Sequence, residues 1–206
     1  MKDKMINWYN KSLVKYGDSD FRSLNWGDIT GTSARFRYEQ MDIEVDFKTK
    51  SVLEVGCGWG SFFDFGFVCK EYMGWDVVSD FIDIANKKYG SSLDKSFYVK
   101  DISSIDSPVR LGGLSRYDVS IASGVAGNIG GPAYLPEKLN YMLRMMYSCS
   151  NTVLVNFPSN RATNRSEGVE YFSPEYVLAK ALEITNNVKL IHKNKFDFLI
   201  RLDHNE

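Results

Sequence analysis

The sequence is short of histidine, cysteine and proline and has no long apolar run, and each shortage closes off a class of protein. Its three cysteines, Cys57, Cys69 and Cys149, lie too far apart for a zinc site, and its histidines are only His192 and His204. An odd number of widely spaced cysteines does not build a disulfide framework either, so free thiols are expected, with Cys69 and Cys149 as ordinary small core residues. No stretch approaches the roughly 18 consecutive apolar residues that a membrane-spanning helix needs, so no membrane partner is expected. Met1 to Tyr9 mixes Lys2, Asp3, Lys4 and Asn7 among its apolar positions, unlike a secretory signal, which points to a cytoplasmic location. An excess of positive charge is also missing. Lys and Arg number 25 against 26 Asp and Glu, a net charge of −1, so nucleic acid is not an expected partner.

Five prolines and no repeat or low-complexity tract leave nothing to divide the 206 residues, and one domain over 1–206 is expected. Hydrophobic residues at 44% supply enough apolar surface for a core, which excludes wholesale disorder. The organisation is an alternation of strand and helix after a helical preface (1–48). Met5, Ile6, Tyr9, Leu13 and Tyr16 recur at helical spacing, and a second helix is expected over about 33–41. Residues 51–55 read as a buried strand, then a glycine turn, then a helix over 61–70. Further strands are expected at 72–75, 97–99, 117–122 and 152–157, with helices at 79–89 and 136–147. Ser173 followed by Pro174 opens a last helix to about 184, before two strands at 188–192 and 196–202. This is an α/β pattern, a Rossmann-like core over 49–206 whose mostly parallel sheet ends in an antiparallel pair. Such sheets bind ligands at the carboxyl ends of the parallel strands.

Chemistry concentrates in Val52-Leu-Glu-Val-Gly-Cys-Gly-Trp-Gly60, where glycines on alternate positions after a strand let main chain pass close to a ligand. A plain strand-to-helix turn needs only one glycine. Ser61 stands where a dinucleotide fingerprint has its third glycine, and no Gly-Lys-Ser/Thr phosphate loop is present. The next strand ends in Asp76, twenty positions after Gly56, a separation at which a carboxylate reaches a ribose. An ionised carboxylate only accepts and so can hold two neighbouring hydroxyls, a reading favoured over Asp76 merely capping the helix that begins near Val78. Asp101 follows the third strand, where it could accept from an adenine amine while Ile102 covers the ring.

The glycine-rich loop, Asp76, Asp101 and Tyr117-Asp-Val-Ser-Ile-Ala-Ser-Gly124, in this order, resemble the class I S-adenosylmethionine-dependent methyltransferases from Ser51 to the end. The resemblance implies a seven-stranded sheet with the last strand antiparallel, helices on both faces, and S-adenosyl-L-methionine bound over the first strands. It places Gly56, Cys57 and Gly58 near the methionine part, Asp76 and Val77 at the ribose, and Asp101 with Ile102 at the adenine. Ser123 and Gly124 would border the methionine and the substrate opening. Glu54 matches the acidic position that orients the glycine loop and helps receive the cofactor's ammonium group. The preface resembles a subset with mostly unassigned substrates, through Tyr16-Gly17, Asn25-Trp-Gly27 and Ser33-Ala-Arg-Phe36. Later pieces, Ala122 to Asn128, Asn156-Phe157 and Tyr171 to Pro174, are similar to the same subset.

Arg35 is a candidate clamp for the cofactor carboxylate or an exposed helix arginine. Trp26, Asn128, Tyr134, Arg161, Arg165 and Tyr171 are candidates for the substrate side; the two arginines could bind a carboxylate or phosphate or simply be solvated, and the aromatics could be core. The Asp/Asn-Pro-Pro-Tyr/Phe signature of nucleic-acid amine methylation is absent after the fourth strand, and no convincing general base stands out. The expectation is methyl transfer to an oxygen or nitrogen of a small molecule, a sugar or other metabolite. The alternatives are a non-catalytic cofactor-binding or regulatory protein and an NAD-dependent oxidoreductase, which Ser61 disfavours.

Overall fold

A computed structural model describes residues 2–25, 29–102, 116–128 and 136–204. Among the described residues, strands β1 to β7 (51–55, 71–76, 95–99, 117–122, 150–158, 188–191 and 197–203) make one mostly parallel sheet in the order β3-β2-β1-β4-β5-β7-β6, the Rossmann-like arrangement expected, with β7 antiparallel to both β5 and β6. The chain divides into two compact units, Met1–Asp101 and Ile102–Glu206. No helix among the described residues is long and apolar enough to cross a membrane.

In the first unit, α1 (Lys2–Tyr16) and α2 (Thr32–Val45) precede β1 (Ser51–Val55), α3 (Ser61–Asp64), β2 (Glu71–Asp76), α4 (Ser79–Tyr89) and β3 (Lys95–Val99). Every residue of β1 is buried, which explains its continuous rather than alternating apolar pattern. The apolar face of α1 lies where its spacing puts it: Tyr9, with Met5, Ile6 and Leu13, packs against Leu24, Trp59, Val78 and Phe81. Leu24 closes a 3-10 turn over Phe21–Leu24. Aromatic rings fill the rest of this core, with Phe62 at 5.2 Å from Phe47 and 5.5 Å from Tyr72, and Phe63 at 4.7 Å from Tyr72. Edge-to-face and tilted pairs of this kind add about 0.5–1.5 kcal/mol each beyond the area they bury.

Two helices of this unit differ in length from the expectation. The helix over 61–70 is a single turn that ends at Asp64, because Gly66 takes a left-handed conformation (φ 83°) and its N–H bonds back to Phe63 O. The chain then turns Phe67 inward against Phe47, Phe62 and Tyr38. Conversely, α2 runs on past Met41 to Val45, where Asp46 N–H bonds to Asp42 O and Asp42 Oδ1 accepts from Phe47 N–H.

The second unit holds β4 (Tyr117–Ala122), α5 (Pro136–Cys149), β5 (Ser150–Pro158), α6 (Pro174–Leu182), β6 (Val188–Ile191) and β7 (Asp197–Asp203). Leu139, Met142, Leu143 and Met146 sit on one face of α5 and are wholly buried. The last two strands form the expected antiparallel pair, with β7 inserted between β5 and β6. Ser173 caps α6, its Oγ accepting from Tyr176 N–H at 3.2 Å. Ser173→Ala should therefore lower stability by about 1 kcal/mol, read as a fall in the urea midpoint at unchanged slope.

Candidate functional site

In the first unit the site is built on the end of β2. The register sets Val55 beside Trp75, and the chain leaving β1 continues that ladder: Gly56 and Cys57 both donate their N–H to Trp75 O, at 2.7 and 3.1 Å. Gly56, Gly58 and Gly60 all have positive φ, 74°, 54° and 83°, which a β-carbon would oppose. Asp76 completes the loop. Its Oδ2 accepts from Gly58 N–H and its Oδ1 from Val78 N–H, both at 2.9 Å. One carboxylate thus caps the entry to α4 and holds the glycine turn, so the capping and binding readings of Asp76 are not exclusive. Each oxygen retains a further lone pair, and the residue is half-buried. Burial pushes the Asp76 pKa up, opposed by the main-chain donors of Val78, Gly58 and Val77.

Beneath the loop, Glu54 is wholly buried. Tyr38 on α2 donates to Glu54 Oε1 at 2.6 Å, and Tyr72 on β2 donates to Oε2. Burial raises the Glu54 pKa to about 7, against the lowering effect of the two phenols, while the Asp76 charge adds to the rise. Cys57 is buried with its thiol pKa pushed well up, chiefly by desolvation, and its Sγ would lie 2.7 Å from a β-carbon at Gly74. Only its main chain faces the loop's ladder. Val77 packs with the α1 cluster.

The preface reaches this site at two points that the sequence did not mark. Leu24 lies over the loop, since a β-carbon at Gly58 would meet Leu24 Cδ2 at 2.8 Å. Lys2 Nζ pairs with Asp101 Oδ2 at 2.6 Å. Arg35 points instead along its own helix, exposed and paired with Glu39 at 3.1 Å. Trp26 lies outside the described residues.

In the second unit, Ile102 is buried, and Ser123 and Gly124 end β4. Gly124 (φ 72°) is pinned from both sides: its N–H bonds to Asn156 Oδ1 at 2.7 Å, and its carbonyl accepts from Asn128 Nδ2 at 3.3 Å. Asn128 also bridges Val169, and Glu170 N–H bonds to Gly127 O, which fastens the loop after β5 to the loop after β4. The arginines of that loop are engaged locally: Arg161 with Glu175, and Arg165 with Asn160 O and, at 5.2 Å, the ring of Tyr171. The Tyr171 hydroxyl accepts from Ser166 N–H at 2.7 Å. Tyr134 lies outside the described residues. Asn156, which in the sequence reads as part of an Asn156-Phe-Pro-Ser159 substrate loop after the fifth strand, lies within β5, where its amide holds Gly124.

No protein-family model matches the sequence, and no curated protein matches it. Solved structures do. Magnesium protoporphyrin IX methyltransferase (ChlM) from Synechocystis PCC 6803, with bound SAH, superposes at a TM-score of 0.67 with 13% identity over 100% of both chains. The chain has the fold of the class I methyltransferases. A DhpI–SAH complex matches that fold at 0.67, with 11% identity over 97% of this chain and 94% of the other. The small RNA methyltransferase HEN1 gives 0.64 and 12%, over 84% of this chain and 25% of its own.

The Glu54 carboxyl makes a directional prediction. Its pKa is raised from 4.5 to about 7 in the fold, so between these values the unfolded chain releases a proton that the folded chain keeps. Stability then falls as pH rises through this window and levels off above it. Glu54→Gln should remove the slope, a relative gain on the order of 3 kcal/mol from one end of the window to the other by denaturant unfolding; an unchanged slope would refute the assignment.

Proposed function

We infer that this protein is an S-adenosylmethionine-dependent methyltransferase acting on an oxygen or nitrogen of a small molecule. The observation that carries the reading is the Asp76–Gly58 arrangement: an acceptor-only carboxylate at the end of β2, bound to the glycine turn after β1 and with lone pairs to spare. That donor and acceptor set suits the cofactor. Two adjacent ribose hydroxyls can donate to Asp76, and the left-handed glycines keep side chains away from the main chain that would face the amino-acid part. The methyltransferase fold shared with two proteins solved with SAH supports the same cofactor.

S-adenosylmethionine supplies a methyl group already activated on a sulfonium, so transfer is an in-line displacement in which orientation does much of the work. The chain's own part is to bind and to exclude water. Asp76 orients the nucleoside and the Gly56–Gly58 main chain the amino-acid part, Glu54 fixes the strand end below them, Leu24 covers Gly58, and the Lys2–Asp101 pair ties α1 to the segment after β3. Asp101 would exchange Lys2 for the adenine amine. On the acceptor side stand Ser123, Gly124 and Asn128, with Arg161, Arg165 and Tyr171 in the neighbouring loop.

A small acceptor is favoured over nucleic acid by the net charge of −1, which offers no footprint for a phosphate backbone. Such an enzyme would act as a single domain in the cytoplasm. The non-catalytic reading keeps the same binding residues and differs only in lacking turnover with any acceptor.

Calorimetry tests the cofactor directly. S-adenosylmethionine and SAH should both bind, NAD should not displace them, and Asp76→Ala should weaken binding at least tenfold, about 1.4 kcal/mol. The absence of heat with either ligand would end this reading. Leu24→Ala, which uncovers Gly58, should speed SAH dissociation in stopped-flow displacement by more than it changes association.

A further inference from the structure

Ser123, just past β4, and Asn156, near the carboxyl end of β5, each carry a buried polar atom that the fold does not use. Ser123 is 2% and Asn156 3% exposed, and neither Ser123 Oγ nor Asn156 Nδ2 has a hydrogen-bond partner among the described residues. They stand at one level. The parallel register pairs Ala122 with Val155, so Ser123, just past β4, and Asn156, within β5, are the residues that follow this pair on the two chains. The orientation of the Asn156 amide is forced, because a main-chain N–H can only donate: Gly124 N–H at 2.7 Å requires Oδ1 on its side and leaves the NH2 group on the other. Asn128, bonded to Gly124 O, holds the same turn from the opposite side. The amide is therefore aimed, not free to flip.

An unpaired amide in a sheet interior costs free energy that an apolar residue would not incur, and such groups in folded proteins call for a partner. This one sits at the carboxyl end of parallel strands, where open α/β sheets bind ligands. We propose that Asn156 Nδ2 and Ser123 Oγ form a specificity-determining donor pair that receives an oxygen of the methyl acceptor, a carboxylate, carbonyl or hydroxyl. The amide NH2 has no lone pair to offer, so it cannot receive an ammonium group. That the ligand is the methyl acceptor rests on the function proposed above; that an oxygen is bound here does not.

The test reads the amide itself. In the 15N-labelled full chain, the Asn156 side-chain NH2 resonances are assigned by their loss in Asn156→Asp, which keeps an oxygen for Gly124 N–H and removes the donor. Titration with sodium acetate and with dimethyl sulfoxide, both oxygen acceptors, should move these resonances saturably, and methylammonium chloride at matched ionic strength should not. Ser123→Ala, which removes an unpaired hydroxyl and so leaves thermal stability unchanged or raised, should weaken the acetate response at least threefold. Silence with both oxygen probes, an equal response to methylammonium, or an unaltered response in Ser123→Ala would overturn the proposal. Titration of the same sample with SAH separates the two readings: an amide that responds where SAH does not bind removes the methyl-acceptor role alone, whereas SAH binding beside a silent amide removes the oxygen site alone.

Discussion

The glycine turn of the first unit depends on one carboxylate. Asp76 reaches Gly58 N–H with one oxygen and Val78 N–H with the other, so the start of α4 and the turn after β1 share a single anchor. Three left-handed glycines at alternate positions need such an anchor, because glycine main chain has the most conformational freedom to lose. The neighbouring carbonyl of Trp75 takes two more N–H groups of the turn. Loop geometry is thus set from β2, while Leu24 packs over Gly58 and Tyr89 over Gly60.

Around this anchor, burial and polarity are set against each other. Glu54 lies in a fully buried strand and is kept there by two phenols from different elements, one on β2 and one on the preface helix α2. Tyr38 therefore joins α2 to the strand that carries the loop, and the aromatic cluster around Phe62 surrounds that polar contact. The preface is more than a cover. Its first helix and its 3-10 turn bury Tyr9 and Leu24 on Trp59, Val78 and Phe81, the residues that flank the turn and open α4.

The second unit uses amides where the first uses carboxylates. Asn156 and Asn128 grip the N–H and C=O of Gly124, and main-chain bonds from Gly127 and Pro158 to Glu170 and Phe172 fold the long loop after β5 back onto the turn after β4. A β-carbon at Gly127 would meet Pro158 Cγ at 2.5 Å, so these two segments pack without room to spare. Of the arginines on the loop, Arg165 bonds to Asn160 O within it and Arg161 pairs with Glu175 at the start of α6.

Elements with a strong local signal were legible in the sequence: the apolar run of β1, the helical face of α1, the Ser-Pro start of α6, and the glycines followed by an acidic residue at the next strand end. Each of these is a property of neighbouring residues, so spacing alone reveals it. The stop of α3 before Gly66 was a local signal that the helical reading of 61–70 passed over, whereas the inward turn of Phe67 depends on rings contributed by Phe47 and Tyr38. Also not legible were the partners of Glu54, the cover of Leu24 on Gly58, the Lys2–Asp101 pair and the aimed amide of Asn156. These join residues far apart in the chain, and only the strand register and the packing of the preface bring them within hydrogen-bonding or van der Waals reach.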